Sequence, residues 1–71
     1  MRDPGKVRWT HLMGRAELVL EDGGLLQVFE VNGSRLPRWL YLDKSRNVVA
    51  SGEAVDWDLA KASAEVAAKL A

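Results

Sequence analysis

The sequence predicts an α+β fold: an antiparallel sheet of four or five strands with one C-terminal α-helix packed on one face. Three observations lead there. Short runs of alternating apolar and polar residues recur between turn signals rich in Gly, Asn and Asp. From Asp56 onward the apolar period changes from two to helical spacing. The strands follow one another and a single helix comes last, whereas a parallel sheet would need helices between strands. With 71 residues the chain is one domain, residues 1–71, near the small end of what folds unaided.

Residues 1–5 read as a flexible arm, with Pro4-Gly5 as the breaker. Residues 6–13 read as a strand in which Val7, Trp9, His11 and Met13 alternate with Arg8, Thr10 and Leu12. Gly14 marks a turn or bulge. In the next strand Ala16, Leu18 and Leu20 alternate with Glu17, Val19 and Glu21, and Asp22-Gly23-Gly24 follows as a hairpin turn. The third strand, residues 25–31, puts Leu25, Gln27, Phe29 and Val31 on one side and Leu26, Val28 and Glu30 on the other. Asn32-Gly33-Ser34 signals a second turn, and Pro37, which has no N–H to give a ladder, belongs at a strand entrance or edge. In the fourth strand, residues 38–42, Trp39 and Tyr41 share one face and Arg38, Leu40 and Leu42 the other. A polar loop over residues 43–47 leads to a short strand, residues 48–51, ended by Gly52.

Asp56 is suited to cap the helix, because its carboxylate can accept from the free N–H groups of the first turn. Asp58 adds negative charge at the positive end of the helix dipole. Leu59, Ala62, Ser63, Val66 and Leu70 fall at helical spacing, so docking is expected through Leu59, Val66 and Leu70. Lys61, Glu65 and Lys69, four apart, make favourable neighbours on another side. Such a helix, about four turns long, is marginal alone in water and depends on docking.

Composition narrows the chemistry. There is no cysteine, hence no disulfide and no thiolate site. His11 is the sole histidine and is read as a surface or packing residue. Gly23-Gly24 lacks the Lys-Ser/Thr and helix of a phosphate loop, and the acidic pairs Glu21-Asp22 and Asp56/Asp58 resemble turn and cap residues. The expectation is a protein that is not an enzyme, with no cofactor and no metal. No apolar run is long enough to span a membrane, and a cytoplasmic location is expected.

What remains is surface. Net charge is zero, but residues 1–15 and 35–46 are basic while 16–34 and 47–71 are acidic, a pattern that fits cross-strand ion pairing. Apolar residues on both faces of the third and fourth strands suggest a second face buried by an oligomer or a protein target; sheet twist and long loops are the alternative. Aromatic and arginine side chains anchor protein interfaces, so Arg35, Arg38, Trp39 and Tyr41 are the contact candidates, with Trp9 next. A protein partner is expected and a homodimer is favoured over a monomer. A nucleic-acid-binding module using the basic-aromatic segment 35–46 is the runner-up, and a structural subunit of a larger particle is the third reading.

The second half of the chain resembles small bacteriophage and prophage accessory proteins. A Trp-containing strand (Arg38-Trp39-Leu40-Tyr41-Leu42) leads to a short strand ending in Ser-Gly (Val49-Ala50-Ser51-Gly52-Glu53-Ala54). An Ala/Glu/Lys helix follows, with Ala60-Lys61-Ala62 and Ala64-Glu65. The resemblance implies a compact sheet-plus-helix fold and a host-interaction role of the kind anti-CRISPR proteins play. It carries over no functional residue, and neutral overall charge departs from the strongly acidic inhibitors that mimic DNA.

Overall fold

The computed structural model describes residues 9–31, 33 and 35–70. The arm expected at residues 1–5 and the strand expected from residue 6 up to residue 8 lie outside them. Five strands form one antiparallel sheet: β1 (Thr10–Leu12), β2 (Arg15–Val19), β3 (Leu25–Glu30), β4 (Pro37–Leu42) and β5 (Val48–Glu53), followed by α1 (Trp57–Ala67). Spatial order equals chain order, so the sheet is a meander with β1 and β5 at its edges. This is the predicted fold class.

The turns explain the boundaries. Met13 and Gly14, the latter at φ 77, carry the chain round between Leu12 and its partner Arg15, so β1 stops short of Met13. Asp22 accepts from the Gly24 amide at 2.9 Å in the β2–β3 turn, and Gly23 supplies φ 94 there. Pro37 is fully buried and opens β4, as a residue without an N–H requires. Asp43 closes the β4–β5 loop by accepting from the Ser45 and Asn47 amides at 2.9 and 3.0 Å. Those donors, Asn47 first, hold its carboxyl below its ordinary pKa. Arg46 donates to the Gly23 carbonyl at 2.8 Å and so ties this loop to the β2–β3 turn.

Register sorts the side chains. Ala16, Val28, Trp39 and Gly52 lie in one cross-strand row, and Leu18, Leu26, Tyr41 and Ala50 in the next. These rows face α1. The core is Ala16, Leu18, Leu26 and Val28 from the sheet with Ala54, Ala60 and Ala64 from the helix and its approach. Trp9, Trp39, Tyr41 and Trp57 pack around it.

The helix docks on a different side from the one its large residues suggest. Ala60 and Ala64 are fully buried, whereas Leu59, Val66 and Leu70 are 48%, 60% and 42% exposed. The cause is the bulk on the sheet: with Trp9, Trp39 and Tyr41 already filling the interlayer space, only small side chains let α1 approach. Asp56 caps as expected, accepting from the Leu59 amide at 2.7 Å. The helix ends sooner than the apolar spacing implies. Lys69 adopts φ 64, and its amide and that of Leu70 return to the Val66 and Glu65 carbonyls at 3.0 and 2.8 Å, which is a Schellman ending.

Gly52 lies inside β5 instead of ending it, and its place is set by contact. A Cβ there would meet Trp39 ring atoms at 2.9 to 3.0 Å. Gly52→Val is therefore expected to cost roughly 1–3 kcal/mol, by displacing the indole. Urea denaturation followed by Trp fluorescence measures it, and an unchanged midpoint would mean the ring turns aside freely.

Candidate interaction surface

The five candidate contact residues do not share a surface. Trp39 and Tyr41 lie on the helix-covered face, half-buried against the core. Trp9 sits on the same side, at the flank of α1. Its indole N–H donates to Glu65 at 2.7 Å, and the Lys61 ammonium lies 5.9 Å from its ring centroid. Lys61 also meets His11 Nε2, which uses the lone histidine as a packing partner. All three aromatics thus help seat the helix. Arg38 points to the opposite face, and Arg35 is exposed in the connection that enters β4. Trp57 belongs to the core cluster too, and its indole N–H reaches Glu30 at 3.2 Å.

Among the described residues no helix or strand covers the other face of the sheet, although Leu42 at its far end is buried. Its register is complete across four strands. One row runs Arg15, Phe29, Arg38, Glu53; the next runs Glu17, Gln27, Leu40, Ser51; the last runs Val19, Leu25, Leu42, Val48. Charges here are internally matched. Arg15 pairs with Glu17 and Arg38 with Glu53, each at 3.2 Å, while Gln27 donates to Glu17 at 2.8 Å. The cross-strand pairing read from the alternating charge blocks is thus present for Arg38 and Glu53. Between these pairs lie Leu25, Phe29 and Leu40, half-buried by their neighbours, and at the far end Val19 and Val48 are 69% and 59% exposed.

A second apolar surface borders the helix. A groove between α1 and Trp39 of β4 is lined by Trp39, Leu59, Ala62, Ser63, Val66 and Ala67. On this face β5 contributes only the small residues Ala50 and Gly52. A further depression near the end of α1 is lined by Leu18, Leu20, Tyr41, Ala68 and Leu70 together with the β2–β3 turn.

Phe29, Leu25 and Arg15 were not among the sequence candidates. The alternation that places Leu25 and Phe29 on one face is visible in the sequence, but the face the helix covers is decided by packing. Among the described residues no group of three or more His, Asp or Glu side chains could hold a metal, and no helix is long and apolar enough to cross a membrane. No protein-family model, curated protein or solved structure matches the chain.

Proposed function

We propose that this chain is a non-enzymatic accessory factor that binds a larger protein through the helix-free face of its sheet and blocks or adapts it. The observation that carries the reading is the pairing of charges on that face. Arg15 and Arg38 are each neutralised by a carboxylate beside them, which leaves Leu25, Phe29 and Leu40 as the unmatched feature. An apolar centre with a self-balanced polar rim suits a protein surface. A polyanion would need unpaired cations with aromatics beside them. Here Trp39 and Tyr41 lie on the opposite face from Arg38, and Arg46 is engaged with the Gly23 carbonyl. The likeness of the second half to phage and prophage proteins makes a bacterial host protein the partner to seek first.

The test is capture from bacterial lysate with the parent, a Phe29→Lys/Leu40→Lys variant and nuclease-treated controls. A protein retained after nuclease and lost with the double variant, whose circular dichroism must match the parent, is the expected result. Equal capture by both removes the proposed face. A partner that disappears with nuclease favours the basic-aromatic segment 35–46 and nucleic acid.

A further inference from the structure

Among the described residues no strand pairs with the outer edge of β5, and its hydrogen-bonding pattern is fixed by its inner neighbour. The Ala54 amide donates to the Pro37 carbonyl at 3.0 Å, so Arg38 and Glu53 form a non-hydrogen-bonded pair. By alternation Gly52 and Ala50 spend their amides and carbonyls on β4. Ser51 and Glu53 turn theirs outward. β5 is six residues long against three for β1, and it carries no Lys or Pro of the kind that guards an edge. A register shift beside Val48 and Val49 interrupts the start of the strand and leaves the stretch from Ala50 to Glu53 regular.

On the helix side the groove beside that edge is lined by uncharged residues. The side of α1 that flanks Trp39 presents Leu59, Ser63, Val66 and Ala67, and Gly52 of β5 lies against the same indole. The charged residues Lys61 and Glu65 lie on the other flank, held at His11 and Trp9. Val49, Val55, Leu59 and Val66, gathered around this edge, are each about half or more exposed, from 48% to 73%.

We propose that β5 pairs antiparallel with β5 of a second copy, about a two-fold axis at Ser51, joining two five-stranded sheets into one. This register makes the outward amide and carbonyl of Ser51 bond to those of Ser51 of the second copy. Ala50 then faces the second copy's Gly52, and Glu53 falls across from its Val49, so no like charges meet. On the helix side the two α1 helices come alongside one another, and the strips of Leu59 and Val66 close over the axis. An isologous contact requires a surface that tolerates itself, and an uncharged strip beside a regular strand edge meets that requirement. The helix-free faces stay open and become continuous, so this association is separate from the binding proposed above.

Sedimentation equilibrium up to millimolar chain concentration is the test, with Ser51→Pro, Val66→Lys and Phe29→Lys. Ser51→Pro removes an outward N–H and leaves the β4 ladder intact. Val66→Lys sets two cations against each other and carries the test if Ser51→Pro fails to fold. The parent should have the mass of two chains. Both edge variants should weaken the dimer by roughly tenfold or more with unchanged circular dichroism, and Phe29→Lys should leave it intact. A parent that stays a single chain throughout, edge variants that dimerise like the parent, or loss of the dimer with Phe29→Lys alone would each overturn the proposal.

Discussion

Ala64→Asp should leave the chain unfolded at room temperature, whereas Val66→Asp should be close to neutral. Ala64 has no exposed surface and packs against Leu18 and Leu26. A carboxylate there would find no partner and no water, a loss of at least roughly 3 kcal/mol. A core this small supplies only about 3–5 kcal/mol in all. Val66, two positions on, is 60% exposed on the groove side, and at concentrations where the chain is a monomer a change there should stay within about 0.5 kcal/mol. Far-UV circular dichroism with urea titration separates the two. The opposite ranking would return the docked face of α1 to Leu59, Val66 and Leu70.

The next largest effect is expected at the centre of the sheet. Leu26 is fully buried in β3, opposite Leu18 on one neighbour and Tyr41 on the other, with Ala64 above. Removing its isobutyl group leaves a void walled by a helix that cannot approach further, since Ala64 already makes the contact. Leu26→Ala should therefore lose roughly 2–5 kcal/mol. Leu25→Ala, one residue away on the helix-free face, should lose far less, because solvent reaches that site. Thermal melts of the two variants give the comparison. Equal losses would mean that the second face is also covered.

The fold was legible because its signals are local. Alternation marked the strands, Gly14 marked a turn or bulge, Asp22-Gly23-Gly24 marked the second hairpin, and Asp56 marked the helix start. The docked face of α1 was not legible, since hydrophobicity ranks Leu59 and Val66 above Ala60 and Ala64. What selects alanine is the size of Trp9, Trp39 and Tyr41 on the opposing layer, a property of the pair of surfaces and not of either segment. The candidate site suffered from the same gap. Arg38 and Trp39 are adjacent in sequence, and adjacency in a strand guarantees opposite faces. Trp57, likewise, joins the core cluster of Ala16, Val28, Ala54 and Ala60 because the turn after Glu53 carries it there.

The meander order of the sheet also bears on how the chain reaches this state. Each strand pairs with the one made just before it, so every strand ladder closes a short loop and little chain entropy opposes it. Only the last step is long-range: Glu65 must find Trp9 across 56 positions before the helix is seated. Until then Leu26, Val28, Trp39 and Tyr41 form a bare apolar sheet face, a species prone to stick to its neighbours. On the ribosome that interval lasts until α1 has emerged. The rate at which eleven helical residues are made and docked then sets how long that face stays bare.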